Sequence, residues 1–360
     1  MTGVDTILLG DITYGACCVD DFTASMLGAQ LLVHYGHSCL VPTTVANHID
    51  TIYVFVTIDF DIPAAIESVS ALLLTPGITR THSTKTIGYE EENASKQIKV
   101  TLVSTIQFAN SLTAVKNGLE ESGKILATIP RSKPLSSGEI LGCTAPRVID
   151  DVIVYIGDGR FHLEAIMMAN PTLPAYRYDP YNKTLTKEEL DHEAMCKDRQ
   201  VAVGPLLEAG QNKKVGLIQG TLGRQGNPKP VEYLFEKLSA RHDCFVVLMS
   251  EVVPAKLALF EDQVETWVQF ACPRLSIDWG SAFSVPLLTS YEASWAFDEN
   301  MKMEGCCGGY SSCKSNGDLG QYKSHPMDYY AYDSIGPHTP NHVPDFGVKK
   351  IGSRISNSVK

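Results

Sequence analysis

The sequence predicts an α/β protein built as three homologous small parallel-sheet domains. Three observations predict it. Cys17, Cys143 and Cys272 recur at intervals of 126 and 129 residues (143 − 17 and 272 − 143), each closely behind an apolar run: TILLGDITYGAC, EILGC and VQFAC. Apolar strand-like runs alternate with helical spacing through the middle and last thirds. And 360 residues exceed what one ordinary core holds. Such a period reads as one α/β unit used three times, with a thiol presented from the same loop each time.

Domain 1 is expected over residues 1–96, with Ile7–Leu9, Cys17 and strands at Leu31–Tyr35 and Thr51–Thr57. It matches the repeat only from its middle, so its first βα unit is expected to be missing from the chain. Domain 2, residues 97–185, starts with the β-branched strand Ile98–Val103. Leu112, Val115 and Leu119 then mark one face of a helix ending near Gly123. A strand at Ile125–Ile129, a Pro/Ser/Gly loop, Cys143 and a buried strand at Val152–Ile156 follow. Domain 3, residues 186–300, is joined by a charged helix that Thr186 and Glu189 would open as a capping box. Val215–Ile218 is a strand, and Val231, Leu234, Phe235 and Leu238 take helical spacing behind Pro230 in the first turn. Strands at Phe245–Met249 and Val268–Ala271 lead to Cys272. Residues 301–360 decay into Gly, Ser, Asp and Pro and are expected to be a poorly packed tail.

Composition narrows the function classes. A net charge of −11 without a basic stripe disfavours nucleic acid and anionic membranes as partners. The start, MTGVDTILLGD, has no basic region and carries acids early, unlike a signal peptide. No apolar stretch approaches the roughly 20 residues that span a bilayer. Ten cysteines without a secretory signal read as thiols or ligands rather than disulfides, so a cytoplasmic setting is expected.

Three thiolates from three repeats suit a central [4Fe–4S] cluster with one iron open to substrate. The rivals are zinc with water as fourth ligand, and three buried structural cysteines. Cys18 reads as packing beside Cys17, and His34, His37 and Cys39 as a satisfied loop rather than a zinc site. Cys306, Cys307 and Cys313 lie in a Gly/Ser-rich stretch with no core to hold them. Gly157, Asp158, Gly159 and Arg160 follow a strand at the edge where α/β sheets bind ligands, although a plain tight turn explains them equally. Gly220, Gly223 and Gly226 also follow a strand, but their spacing is not that of a dinucleotide fingerprint. A loop of backbone amides facing a small carboxylate ligand remains. Arg147 and Arg274, in CTAPR and CPR, are candidates to hold that carboxylate. Asp278 of the same CPRLSID run joins the cofactor-binding candidates.

The runs GDITYGACCVDDFTA, HYGHSCL, LVSTIQF, KPLSSGEILGCTAPR, YIGDGRFHLE, AYRYDPY, GTLGRQG and QFACPRLSIDWGSAF closely resemble the diphthamide biosynthesis family, on its subunit 1 branch. The resemblance runs from about Asp5 to Phe297 and returns at HPMDYYAYDSIGP. It implies three α/β domains that each give one cysteine, Cys17, Cys143 and Cys272, to a [4Fe–4S] cluster. It implies S-adenosylmethionine at the open iron, cleaved at its Cγ–S bond. The resulting 3-amino-3-carboxypropyl radical adds to an imidazole carbon of a histidine in translation elongation factor 2. A paralogous subunit completing a heterodimer and a small metalloprotein donating electrons are implied as partners. The chain departs from the family in its missing N-terminal portion and its Cys-rich insert near residue 306. Two other readings stand beside it. One is a quinolinate-synthase-like [4Fe–4S] Lewis-acid enzyme; the other is a non-catalytic paralogous subunit.

Overall fold

The computed structural model describes residues 3–10, 19–36, 40, 49–75, 97–208, 212–221, 226–297, 325–334 and 336–341. In the first third, β1 (Leu31–Tyr35) and β2 (Asp50–Val54) form a parallel pair. The second sheet takes β3 (Ile98–Ser104), β4 (Ile125–Thr128), β5 (Val152–Ile156), β6 (Ala175–Asp179) and β7 (Thr184–Glu188) in the order β4-β3-β5-β6-β7. The third takes β8 (Lys214–Gly220), β9 (Asp243–Met249), β10 (Thr266–Phe270) and β11 (Leu287–Thr289) in the order β9-β8-β10-β11. Every pair is parallel except β6 with β7. Both sheets therefore repeat one winding, with β3, β4, β5 and β6 answering to β8, β9, β10 and β11. The expected α/β class with parallel sheets is present.

The helices are α1 (Asp21–Met26), α2 (Ile62–Leu74), α3 (Ile106–Ala109), α4 (Leu112–Glu120), α5 (Phe161–Ala169), α6 (His192–Leu207), α7 (Pro228–Ser239), α8 (Pro254–Leu257), α9 (Arg274–Trp279) and α10 (Ser290–Phe297). The central strands β5 and β10 are buried along their whole length, as strands covered on both faces are. Val152, Val154 and Ile156 pack with Val100 and Leu102 under Leu112, Val115 and Leu119 of α4. Ile153 and Tyr155 alternate to the other face. There they share one core with Leu163 and Ile166 of α5, Val203 of α6, Val215 and Leu217 of β8, and Val231 of α7. The second and third sheets are thus one packed body.

Several expectations are corrected. Ile7–Leu9 is irregular, with Leu9 half-buried and Leu8 94% exposed; three apolar residues alone cannot hold a strand without a pairing partner. Ala65, Val69 and Leu73 of α2 are buried in the second sheet's core, so a boundary at residue 96 would cut through a packed unit. Thr186 caps no helix. It lies in β7, where TLTKE pairs along β6, and its hydroxyl donates to Glu188. Helix α6 starts at His192, and Asp191 caps it by accepting from the Ala194 N–H. Helix α7 begins at Pro228, and Pro230 lies in its first turn as expected. The expected poorly packed tail is wrong for residues 325–334 and 336–341. His325, Met327 and Thr339 are fully buried, and Tyr329, Tyr330 and Ala331 nearly so. Its Gly, Ser, Asp and Pro residues form turns that place these side chains, rather than signalling loose chain.

Candidate metal centre

Cys143 sits in the connection from β4 to β5. The segment ahead of it runs along the carboxyl end of β3: the Ser104 N–H donates to Gly138 O (2.8 Å) and the Ile140 N–H to Ser104 O (3.1 Å). Leu141 and Thr144 then exchange backbone hydrogen bonds of 2.9 and 3.2 Å, closing a tight turn that buries Cys143. Cys272 lies in the short turn between β10 and α9, one residue after Ala271 and just ahead of the Pro273 cap. Its carbonyl accepts from the Leu275 N–H (3.0 Å) and from Gln269 Nε2 (2.9 Å), which also reaches Ser276 Oγ. It too is buried. Cys143, Cys196, Cys244 and Cys272 carry reduced thiols. Cys17 lies outside the described residues, as do Cys18, Cys39, Cys306, Cys307, Cys313 and Gly223.

The expectation of one thiol-bearing loop used repeatedly is corrected for this pair. Equivalent strands start at residues 98 and 214, and at 152 and 266, so the unit is 116 or 114 residues long. Cys143 and Cys272 are 129 apart because they occupy different loops of the unit. The topological counterpart of the Cys272 turn is Gly157–Arg160, after β5. Both thiols still emerge at the carboxyl ends of parallel strands, the ligand edge of an open α/β sheet.

The two loops meet at Phe161, the first residue of α5. A Cβ added to Gly142 would stand 2.2 Å from Phe161 Cε1, and the Arg274 guanidinium lies 4.3 Å from the ring centroid. Arg274 is 1% exposed and heavily engaged. Its Nε donates to both Asp278 oxygens (2.8 and 2.9 Å), Nη1 to Phe161 O (2.7 Å) and Nη2 to Glu164 (2.6 Å). A buried guanidinium needs such compensation. Burial raises the Asp278 carboxyl, against the pull of Arg274 and with a push from Glu164. Arg274 and Asp278 therefore tie the second and third sheets together instead of presenting charge to a ligand. Arg147 is exposed.

The Gly157–Arg160 turn leads straight into Phe161. Gly159 takes φ +65°, where a side chain is strained, and a Cβ on Gly157 would stand 2.7 Å from Tyr155 Oη. Burial holds the Tyr155 hydroxyl protonated, its pKa raised further by Asp158, and it donates to Asp158 O at 3.3 Å. Arg160 pairs with Glu188 (3.1 Å) and Glu164 (3.5 Å), leaving Asp158 as the turn's exposed acid. Gly220 ends β8 against Ala271, with a built Cβ 3.0 Å from Ala271 Cβ. On the same strand, Gln219 Nε2 donates to Gly226 O (3.4 Å).

Cys143, Gly157–Arg160, Gly220 and Cys272 are therefore gathered at one edge. Sequence reasoning missed Phe161 and Glu164, although both lie in the run YIGDGRFHLE. It also missed the segment at residues 325–341, which touches both thiol loops. Thr144 bridges to Asp328, the Ala145 N–H donates to Met327 O (2.9 Å), and Tyr330 Oη donates to Ala271 O (3.2 Å). A narrow cavity between this segment and the Cys272 loop is lined by Gln269, Ala271, Pro273, Tyr329, Tyr330 and His338.

Two buried thiols on adjoining loops are the soft donors an iron–sulfur cluster takes. Among the described residues no three His, Cys, Asp or Glu side chains are preassembled, and the expected third donor, Cys17, is not one of them. The two described thiols suit such a group in type and in burial.

The family model for diphthamide synthesis protein matches residues 1–306. This chain belongs to that family. It is 48% identical over 342 residues to "2-(3-amino-3-carboxypropyl)histidine synthase subunit 1" of Nematostella vectensis, covering 94% of this chain and 64% of that protein, which is less than two thirds of its length. The Homo sapiens protein of the same name is 46% identical over 348 residues, covering 96% of this chain and 69% of that protein. Among solved structures, Dph2 from Pyrococcus horikoshii with a 4Fe-4S cluster superposes with TM-score 0.61 at 23% identity, covering 89% of this chain and 82% of that one. That likeness speaks to the fold. Among the described residues no helix is long and apolar enough to cross a membrane.

Proposed function

We propose that this chain is the catalytic subunit of a 2-(3-amino-3-carboxypropyl)histidine synthase. It transfers the 3-amino-3-carboxypropyl group of S-adenosylmethionine to a histidine of translation elongation factor 2, the first step of diphthamide biosynthesis. The observation that carries the reading is the convergence of the Cys143 and Cys272 loops on Phe161 at the sheets' ligand edge, in a chain so similar to proteins of that name. Cys17, Cys143 and Cys272 would hold a [4Fe–4S] cluster, which when bound supplies the electron and the open iron that a non-conventional cleavage of the Cγ–S bond requires. The transfer breaks that bond, joins the propyl carbon to an imidazole carbon whose C–H bond is lost as a proton with return of the electron, and releases methylthioadenosine.

The chain's own residues bind and orient. The Gly157–Arg160 turn and Gly220 flank the thiols and, with the Gly220–Gly226 loop, would line the S-adenosylmethionine site, where Asp158 would meet its amino group. Burial of Cys143 and Cys272 would shield their thiolates from water. The partners in this reading are a paralogous second subunit, elongation factor 2 and a small electron-donor metalloprotein, all in the cytoplasm. The test is anaerobic: purified chain with the second subunit, dithionite, S-adenosylmethionine and elongation factor 2, read by methylthioadenosine release and iron spectroscopy. Release without modified histidine, or no iron bound, defeats the reading. Asp158→Ala should weaken S-adenosylmethionine binding with thermal stability unchanged.

A further inference from the structure

We propose that Tyr330 is a positioning residue for the Cys272 loop, acting within a brace (residues 325–334 and 336–341) that fixes the Cys272 and Cys143 loops against each other. The brace lies beyond the residues that the family model matches. It touches the site proposed above, but its first readout needs no cluster.

Two anchors stand two residues apart. Asp328 bridges to Thr144, next to Cys143, and Tyr330 donates its hydroxyl to the carbonyl of Ala271, next to Cys272. The turn between them is closed by the Ala331 N–H donating to Asp328 O at 3.0 Å. The spacing of the anchors is therefore set by one short hydrogen-bonded turn, not by a flexible linker. Its side chains lock it further. The Asp328 carboxylate accepts from Ser334 Oγ (2.6 Å) and pairs with His338 Nε2 (2.9 Å). His338 O in turn accepts from Ser290 Oγ on α10 (3.3 Å). At its start, the buried His325 meets Tyr329 Oη (3.2 Å) and lies 3.5 Å from Glu292, the carboxylate that Arg199 of α6 grips at 2.6 Å.

The brace is thus rooted in the shared core and ends on both thiol loops. A site that must hold reacting groups within a fraction of an ångström gains from such support. Ala271 O sits at the end of β10, and Tyr330 supplies its donor there.

The test is Tyr330→Phe in the full chain, which keeps the ring and removes the hydroxyl. Iodoacetamide labelling of the metal-free protein is followed by peptide mass spectrometry at Cys272, with Cys244 as internal reference. Cys272 labelling is expected to rise on the order of 5-fold, the weight of one neutral hydrogen bond, with Cys244 unchanged. Asn341→Ala, at the brace's far end where Asn341 donates to Ala331 O, should change Cys272 less. After iron and sulfide reconstitution, Tyr330→Phe should alter the cluster's electron paramagnetic resonance line shape. Unchanged Cys272 labelling overturns the proposal. A parallel rise at Cys244 does so as well, since it reports general loosening. A wild-type chain that never retains iron would defeat the proposed function and leave the labelling result standing.

Discussion

Gly142 lies against the ring of Phe161, so close that a Cβ there would stand 2.2 Å from Cε1 and 2.6 Å from Cζ. The ring has little room to yield, because Arg274 lies 4.3 Å from its centroid. Gly142→Ala should therefore cost about 1–3 kcal/mol through overpacking and lower bound iron, since it displaces the turn carrying Cys143. Gly204→Ala is the control. Beyond its chain neighbours nothing lies within 4 Å of a Cβ there; the added methyl meets only the following Pro205, so any change in stability should leave iron per chain unaltered. Melting temperature and iron per chain measure both.

Arg274→Ala should destabilise the chain by about 3–5 kcal/mol, because it strands Glu164 and Asp278 in a part-buried site. Arg274→Lys should recover little, since an ammonium cannot reach Asp278, Phe161 O and Glu164 together. Urea unfolding decides. A stable Arg274→Ala chain that has lost only S-adenosylmethionine affinity would restore the ligand role expected from sequence.

Iron loading should depend on Cys17, Cys143 and Cys272 and not on Cys18, Cys39 or Cys306. Alanine variants are compared by cluster absorbance after reconstitution. Loss in Cys18→Ala with retention in Cys17→Ala would reassign the first ligand.

Acid should loosen the brace. Burial holds the His325 imidazole at about 3, against the attraction of Glu292 and with repulsion from Arg199, His192 and His338. The unfolded chain takes up this proton below its ordinary value of 6.5, while the folded chain refuses it until near 3. The stability contributed is therefore present above pH 6.5 and lost as pH falls towards 3. Between pH 7.5 and 5 the wild-type melting temperature should fall more than that of His325→Gln. Parallel curves would show that His325 is not the group responsible.

Much of the fold was legible from local pattern. Ile98–Val103 and Val152–Ile156 read as strands because covering on both faces demands continuous apolar runs. Leu112, Val115 and Leu119 read as one helix face because i, i+3 and i+7 meet on one side. Thr186 misled because the capping signature TKEE overlaps the strand TLTKE, and only pairing with β6 separates them. The tail misled because turn-forming composition says nothing about what a turn presses inward, here Met327, Tyr329 and Tyr330.

By itself the sequence determined the α/β class, the thiols that form the candidate donor set, and the Gly157–Arg160 and Gly220 turns that end their strands. These depend on residue type and short-range spacing. Tertiary structure alone decided that Cys143 and Cys272 occupy different loops of the repeat, and that Arg274 is spent on Glu164 and Asp278. It alone brought residues 325–341 back across both thiol loops. Apart from the i,i+4 pair of Arg274 with Asp278, those contacts join residues far apart in the chain, Arg274 and Glu164 by 110 positions, and no local periodicity encodes which distant surfaces a packed core will bring together.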